Sequence, residues 1–193
     1  MSSPPRLIAY NGESMLDLIN PVIAAVRTDE EYLLATKSPV TAIFMLKADI
    51  LTLPDLLACK RDKSVYIHID IAEGIGKDKR ALEYLKKCGA DGIISTKNHM
   101  ISAAKELGLG TVQRFFIIDS VSVATALDIV ASTKPDYAEL MPGILPKTVK
   151  SFVDKTHTKI IAGGLIETKK DVLAALSAGA DGVSTGRKEL WDV

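Results

Sequence analysis

Two glycine-containing segments near the end of the chain have the composition of a phosphate-binding site. The apolar run IIAGG ends in Gly163 and Gly164, and a second short run ends in Ser184-Thr185-Gly186. Glycine lets backbone N–H groups approach an oxyanion, and a helix that follows turns its positive end toward the anion. In a (β/α)8 barrel, the loops after strands seven and eight form such a site. The sequence therefore predicts that the chain holds a small phosphorylated molecule, although glycines also end strands for steric reasons alone.

Polar side chains at the ends of other apolar runs could complete a pocket. Alternation along Val65–Asp70 directs its apolar residues toward covering helices, and Tyr66, His68 and Asp70 into the barrel. A hydrogen-bonded core histidine is the alternative for His68, and Asp70 with the glycine-containing loop Glu73–Lys77 leads us to favour a functional role. The other polar residues expected at this rim are Arg27, Ser95, Thr96, Lys97, Gln113, Arg114 and Glu139. Such a ring is how this fold builds a ligand pocket, and an interior salt bridge is the rival interpretation for each residue.

Eight short apolar runs, the number that a barrel needs, would position these residues. The strand candidates are Pro21–Arg27, Thr41–Leu46, Val65–Asp70, Gly92–Thr96, Thr111–Ile117, Tyr137–Met141, Lys159–Gly163 and Gly182–Thr185. The clearest helices between them are Asp29–Lys37, Lys77–Lys87, Asn98–Leu107, Ser120–Ser132, Lys147–Asp154 and Thr168–Ala178. The runs are near-continuous Val, Ile and Ala, as is typical of parallel strands covered by helices. We therefore predict an α/β fold, a compact (β/α)8 TIM-barrel-like single domain.

Two local signals accompany this pattern. Predicted helices open with a hydroxyl and a carboxylate three residues apart, the spacing of a capping box, at Thr28 and Glu31, Thr52 and Asp55, and Thr168 and Asp171. The segment CGADGIIST at Cys88–Thr96 also resembles AGADGVST at Ala178–Thr185. Two similar half-barrels would explain the similarity of these segments, and so would the common glycine turn between helix and strand. Either origin places both Ser-Thr pairs at the functional rim.

Composition sets limits on the class of protein. The 193 residues, 47% of them hydrophobic, can bury one substantial core. Lys plus Arg and Asp plus Glu number 24 each, so the chain as a whole has no electrostatic attraction for nucleic acid or membrane. The two cysteines lack metal spacing, and we find no signal peptide or long apolar run, which together predict a cytoplasmic protein. We expect residues 1–20 to form a tail with a short helix and residues 21–193 to form the barrel.

The segments between Val22 and Trp191 together resemble one known family. They are AVRTDEEY, KADILTLPDLL, HID-x-x-EGIGKDK, ADGIISTK, QRFF-x-x-DS, PG-x-x-PK, AGGLI and STGRKELW. This combination resembles the bacterial glycerol-uptake operon antiterminator family. The resemblance implies a TIM-barrel-like regulator that senses glycerol 3-phosphate and acts on a leader mRNA, so that transcription of glycerol-catabolic genes continues past a terminator. The chain departs from the family pattern at Lys47-Ala48 and at Gly186-Arg187, the second beside the predicted phosphate site.

Three classes of function follow from these observations. The first is a ligand-gated, RNA-binding antiterminator with no enzymatic activity and no cofactor. Such a regulator could also form a homo-oligomer. The second is an isomerase, lyase or aldolase on a small phosphorylated substrate, with Asp70 or Glu139 as base, His68 as acid and Lys47 or Lys97 as a Schiff-base amine. The third is a partner-binding barrel with a vestigial phosphate site. Asp70, Glu73 and Glu139 could hold Mg²⁺, but scattered carboxylates are more often metal-free, so we predict no metal site.

For the antiterminator hypothesis, we assign ligand and RNA contacts as follows. The ligand-binding residues are expected to be Arg27, His68, Asp70, Ser95, Arg114, Glu139, Gly163, Gly164, Ser184, Thr185 and Gly186. The RNA-binding residues are expected to be Lys77, Lys79, Arg80, Arg187 and Lys188, in two basic clusters that this interpretation places at the pocket mouth. Solvated helix surface is the alternative for each of these cations. Lys147, Lys150 and Lys155 are the second choice for the RNA surface. With only 5% aromatic residues, recognition of RNA by stacking on a sheet is not expected.

Overall fold

A closed barrel of eight parallel strands forms the centre of the protein. The computed structural model describes residues 20–192, and in it each strand pairs with the next in chain order until the eighth pairs with the first. The strands are β1 Val22–Val26, β2 Ala42–Met45, β3 Ser64–His68, β4 Gly92–Ser95, β5 Gly110–Phe116, β6 Tyr137–Met141, β7 Lys159–Gly163 and β8 Gly182–Thr185. The predicted (β/α)8 barrel is confirmed. The predicted N-terminal tail and short helix lie outside the described residues.

In the described part of the chain, seven helices cover the barrel. The helices are α1 Asp29–Ala35, α2 Leu53–Ala58, α3 Lys79–Cys88, α4 Asn98–Glu106, α5 Ser120–Thr133, α6 Pro146–Val153 and α7 Lys169–Ser177. Single 3₁₀ turns follow β3 at Ile69–Ile71 and β8 at Lys188–Leu190. None of the described helices is long and apolar enough to cross a membrane.

Alternating side chains divide the core into two layers, as they do in any barrel. The larger layer lies between the strands and the helices, whereas a smaller one fills the barrel interior with residues such as Phe44, Tyr66 and Tyr137. The ring of Tyr66 occupies the space that side chains at Gly92 and Gly110 would need, because an added Cβ at either glycine would collide with that ring. The apolar interior leaves polar groups to the carboxyl ends of the strands.

The helix caps confirm one of the three predicted capping boxes and half of a second. Thr168 and Asp171 bond reciprocally at the start of α7. Thr28 accepts from the backbone N–H of Glu31, whose carboxylate accepts from the N–H of the residue before Thr28. The predicted box at Thr52 is wrong, because Thr52 has a helical backbone and its side chain makes no capping hydrogen bond. Helix α3 starts at Lys79, two residues later than predicted, because Asp78 caps it by accepting from Ala81 N–H at 2.9 Å.

The side chains of Asp70, predicted to face the barrel interior, and of Gln113, expected at the rim, point elsewhere. Strand β3 ends at His68, and the 3₁₀ turn that follows directs the Asp70 carboxylate to the end of β4. Strict alternation does not continue through such a turn, so the prediction for Asp70 is wrong. Gln113 points toward the helices, where its amide donates to Asn98 at 2.8 Å and accepts from Thr133 at 2.6 Å. Its neighbour Arg114 takes the inward position, since successive strand residues face opposite sides.

Candidate functional site

A cavity of about 350 Å³ opens at the carboxyl ends of β1, β5, β6, β7 and β8. This volume lies at the small end of the range for ligand pockets. Seven of the eleven predicted ligand residues line it, namely Arg27, Arg114, Glu139, Gly164, Ser184, Thr185 and Gly186. The remaining lining residues are Ala25, Leu46, Met141, Leu165, Ile166, Glu167 and Arg187. The loops after strands seven and eight contribute six of the fourteen lining residues, in the position where this fold places phosphate groups.

A buried ion pair forms the floor of the cavity. Arg114 and Glu139 are register neighbours on β5 and β6, and Arg114 Nε donates to Glu139 Oε2 at 2.6 Å. The other carboxylate oxygen accepts from Ser184 Oγ at 2.7 Å. The side chains of Arg114 and Glu139 are only 7% and 1% exposed. No other acceptor within residues 20–192 hydrogen-bonds the Arg114 side chain, so Glu139 orients a guanidinium that retains donors for a ligand.

Because Gly163 has no side chain, it leaves room for the contacts at the floor of the cavity. A Cβ added there would lie 2.5 Å from Glu139 Oε1 and 2.6 Å from Ser184 Oγ, which is too close for either atom to stay. The glycine therefore lets the carboxylate of β6 and the hydroxyl of β8 meet across β7. Gly163 itself does not line the cavity, and its assignment as a direct ligand contact stays a prediction.

The wall made by the loops after β7 and β8 carries free backbone donors. Gly164, at φ +76°, and Leu165, at φ +59°, adopt left-handed conformations in succession. Within the described part of the chain, the N–H groups of Gly164, Leu165 and Gly186 donate no hydrogen bond. Leucine rarely tolerates a positive φ, and such strain clusters at ligand sites. These donors beside a cavity suit an anion.

Two contacts hold the same loops together. Thr185 Oγ1 donates to the Ile166 carbonyl at 2.8 Å and accepts from Arg187 N–H at 3.1 Å. At the outer edge, Arg187 Nη2 lies 2.8 Å from Glu167 Oε1. Arg27 faces them from the end of β1, exposed and without an ion pair among residues 20–192. The cavity is therefore lined by three arginines and two glutamates, each glutamate already paired with an arginine.

His68 lies buried in the barrel interior, and neither ring nitrogen has a hydrogen-bond partner among residues 20–192. Its Nε2 is 3.8 Å from Asp70 Oδ2, too far for a hydrogen bond. Burial, with the positive charge of Arg114 second, lowers the pKa of His68 to about 4, so the imidazole is neutral at pH 7. His68 does not line the cavity.

Asp70 organises the end of β4 rather than the cavity. Its carboxylate accepts from Ser95 Oγ at 2.6 Å and from Thr96 N–H at 2.7 Å and Thr96 Oγ1 at 2.8 Å. Burial opposes ionisation, but these hydrogen bonds outweigh it and hold the pKa of Asp70 below its usual value. The roles of His68, Asp70 and Ser95 as ligand contacts stay predictions.

The cationic residues assigned to RNA have protein partners. Lys77 Nζ donates to the Ala72 and Ile75 carbonyls, both at 3.0 Å. On α3, Lys79 pairs with Glu106 at 3.0 Å, and Arg80 pairs with Glu83 at 2.8 Å. Lys188 Nζ lies 4.0 Å from Glu31, and Arg187 alone of the five lines the cavity. Lys77, Lys79, Arg80 and Lys188 do not line the cavity, and the placement of both clusters at its mouth stays a prediction.

The groups proposed for enzymatic chemistry are not assembled in one place. Among the described residues that line the cavity there is no lysine. Lys47 instead pairs with Glu73 at 3.1 Å outside it. Schiff-base chemistry in the cavity would require such an amine within reach of the substrate.

Several lining residues could have been found from the sequence. Leu165, Ile166 and Glu167 directly continue the GGLIE segment after Gly164, and loops after strands of this fold carry its ligand residues. Ala25 and Leu46 are inward positions of β1 and of the segment after β2, which strand alternation indicates.

The fold and the cavity define a single (β/α)8 barrel with an arginine-lined pocket at its carboxyl rim. The model of the glycerol-3-phosphate responsive antiterminator family matches residues 22–191, and the chain belongs to this family. The family is one of regulators, in agreement with the prediction of a regulatory protein rather than an enzyme.

Proteins from three bacteria are similar to this chain over most of its length. A glycerol uptake operon antiterminator regulatory protein from Listeria monocytogenes is 32% identical, with a TM-score of 0.84 over 90% of this chain and 95% of that one. A glycerol uptake operon antiterminator-related protein from Thermotoga maritima is 31% identical, with a TM-score of 0.80 over 89% of this chain and 98% of that one. The uncharacterized protein YgcP of Escherichia coli is 35% identical over 89% of this chain and 92% of its own length.

Proposed function

We propose that the cavity binds glycerol 3-phosphate and that the occupied protein binds the leader mRNA of glycerol-catabolic operons, preventing termination of transcription. The observation that carries the proposal is the combination, in one small cavity of a family member, of three arginines with unpaired backbone N–H groups.

The phosphate would lie between the loops after β7 and β8. The N–H groups of Gly164, Leu165 and Gly186 would donate to its oxygens, whereas that of Thr185, which the sequence also suggested, lies in the pairing of β8 with β1. Arg27 and Arg187 would balance a charge close to −2 at neutral pH. Arginine suits this role because its planar fork matches two phosphate oxygens at once.

The glycerol part would lie over the Arg114–Glu139 floor. Glu139 accepts one hydrogen bond at each oxygen and keeps lone pairs for a ligand hydroxyl. Ser184 lines the same floor. Phosphate would thus be recognised at the rim and hydroxyl groups below it, and both halves of the ligand would be needed for full affinity.

Titration calorimetry tests the ligand directly. We expect glycerol 3-phosphate to bind with higher affinity than inorganic phosphate, and glycerol alone not to bind measurably, because only the intact molecule reaches both walls. Equal affinity for inorganic phosphate would contradict the recognition of the glycerol part. No heat with any of the three would contradict the ligand.

For the RNA surface we retain Lys77, Lys79, Arg80, Arg187 and Lys188. Phosphate binding would draw Arg187 from Glu167, and ordering of this edge would reduce the entropy cost of RNA binding. Ion pairs at exposed residues are weak, so Lys79 and Arg80 can exchange their carboxylate partners for RNA phosphates.

A gel shift with leader RNA, with and without glycerol 3-phosphate, tests this surface. The double variant Lys79→Glu with Arg80→Glu should lose the ligand-dependent shift while its calorimetric ligand affinity stays within about twofold, and the parent shift should weaken steeply with salt. Lys169→Glu with Lys170→Glu is the matched control, since these are likewise the first two residues of a helix. An unchanged shift in the α3 variant would move the RNA site elsewhere, first to Lys147, Lys150 and Lys155.

A further inference from the structure

A group of large apolar side chains lies exposed where β5 leads into α5 and where α6 begins. We call it the α5–α6 patch, and it consists of Phe116, Ile118, Val121, Ile144 and Leu145. Its central members Phe116, Ile118 and Val121 are 58%, 88% and 69% exposed. Two shallow grooves, of about 400 and 290 Å³, meet at Ile118 and Asp119, so the apolar surface is continuous across the start of α5. Contiguous exposed apolar surface of this kind marks an interaction site.

Helix α5 extends the α5–α6 patch down the side of the barrel. Its 14 residues, SVSVATALDIVAST, include one charged side chain, Asp128. The 10 residues of α3, KRALEYLKKC, include five. A helix that faces water normally carries charged residues on its outer side. The outward positions of α5 instead hold the small residues Ala124, Thr125, Ala131 and Ser132. Small side chains permit another surface to approach closely.

We propose that the α5–α6 patch is the contact surface of a two-fold dimer of this chain. In such a contact the same surface meets itself, so a protrusion and a recess on one surface must fit each other. Ile118 protrudes beside the groove that Phe115, Ala126 and Ile129 help to line. A two-fold axis through the patch inserts Ile118 of each copy into the groove of the other.

Charges at the edges of the patch fit the same arrangement. Asp128 on α5 and Lys147 on α6 are exposed, and neither forms an ion pair within residues 20–192. An axis between the two helices sets the α5 side of one copy against the α6 side of the other, where Asp128 meets Lys147. RNA is a poorer occupant, because no residue of the α5–α6 patch itself carries the positive charge that a phosphate backbone requires.

The mass of the full-length chain in solution, by light scattering across a protein concentration series, tests the dimer. The parent, with a chain mass of 20.8 kDa, should give about twice that value. Val121→Glu should raise the dissociation constant at least about 10-fold by burying a charge in the contact. It should leave circular dichroism unchanged, because an acidic residue in the first turn of α5 agrees with the helix dipole. Leu173→Glu on α7, at an apolar residue 53% exposed, is the control and should remain dimeric.

A charge exchange tests the two-fold geometry. Asp128→Lys and Lys147→Asp should each weaken the dimer, and the two together should restore it, because the opposite charges then meet again. A monomeric parent, a dimeric Val121→Glu variant, or equal dissociation by Leu173→Glu would overturn the proposal. Failure of the charge pair to restore the dimer would overturn the assigned axis. None of these results depends on the proposed ligand or RNA.

Discussion

Gly164 meets two requirements that a residue with a side chain meets only at a cost. Its φ of +76° lies in the left-handed region, and an added Cβ would lie 2.7 Å from Met141 Cε. Its N–H group has no acceptor within the described residues and borders the cavity. The position therefore combines backbone strain with an unused donor, which is what close approach of an anion demands.

Gly164→Val should weaken glycerol 3-phosphate binding by at least about 10-fold. A branched side chain at this φ shifts the loop, and charge-assisted hydrogen bonds worth roughly 1.5–3 kcal/mol each are then stretched. Calorimetry measures the affinity, and a thermal melt reports how much of the loss reflects the fold. Gly186→Ala is the milder control, since an added Cβ there makes only ordinary contacts. Affinity equal to the parent in Gly164→Val would show that the phosphate lies elsewhere.

Arg114 and Glu139 should depend on each other for stability. Arg114→Met leaves the buried Glu139 carboxylate without its cation, which should reduce the free energy of unfolding by roughly 3–5 kcal/mol. Adding Glu139→Gln removes the stranded charge and should restore most of this loss. Denaturant unfolding of the two single variants and the double variant measures the coupling between them.

Arg27, unlike Arg114, should affect ligand binding without affecting stability. It is exposed and without an ion pair among residues 20–192, so Arg27→Met should change stability by no more than about 0.5 kcal/mol. Ligand affinity should nevertheless fall, because Arg27 lines the cavity. Unchanged affinity would indicate that Arg187 and Arg114 suffice for the phosphate.

At the level of elements, the loops after β7 and β8 act as one unit. Thr185 binds the Ile166 carbonyl, and Arg187 reaches Glu167 across the gap. The reciprocal bonds of Thr168 and Asp171 then fix the point where the first of these loops becomes α7. The candidate phosphate wall is therefore held from both ends.

Thr168→Ala should lower the free energy of unfolding by about 1 kcal/mol, because the N-cap hydroxyl of α7 accepts from Asp171 N–H. Thr52→Ala is the matched control. Thr52 precedes α2 in the same way but makes no capping hydrogen bond, so its loss should cost less than about 0.5 kcal/mol. If denaturant titrations give the same loss of unfolding free energy for both variants, the capping hydrogen bond of α7 adds no stability.

At the scale of the whole molecule, the protonation of the buried His68 side chain should change the free energy of unfolding with pH. The folded protein holds the pKa of His68 at about 4, whereas the ordinary value is 6.5. Above pH 6.5 both folded and unfolded states are neutral at this residue, and the stability is fully present. As the pH falls from 6.5 toward 4, the unfolded state takes up the proton first, and the free energy of unfolding decreases by at most about 1.4 kcal/mol per pH unit.

His68→Gln should flatten this slope, measured as unfolding free energy between pH 7 and pH 4. The exposed His99 provides the control, and His99→Gln should leave the slope as it is in the parent. A parent and a His68→Gln variant with the same pH dependence would show that His68 is not the group responsible.

The barrel, its eight strands and the family could all be read from the sequence. Near-continuous apolar runs separated by amphipathic segments indicate a parallel sheet covered by helices. The glycine motifs could be recognised because the turns that they form depend on local sequence. The family segments extend over almost the whole chain, so they reflect the fold and the function together. Arg27, Arg114, Glu139, Gly164 and the Ser184-Thr185-Gly186 segment, all assigned to the ligand from the sequence, line one cavity, and their contact with a ligand stays a prediction.

The tertiary structure alone decided which of the predicted polar groups share that cavity. The 3₁₀ turn after β3 breaks the alternation from which Asp70 was placed, and it directs that carboxylate to Ser95 and Thr96. The curvature of the sheet over β6, β7 and β8 brings Ser184 to Glu139 across Gly163, three residues that are distant in sequence. Sequence periodicity predicts which face of a strand a side chain occupies. The contacts of that side chain depend on how the strands curve and close, and only the assembled barrel determines this curvature.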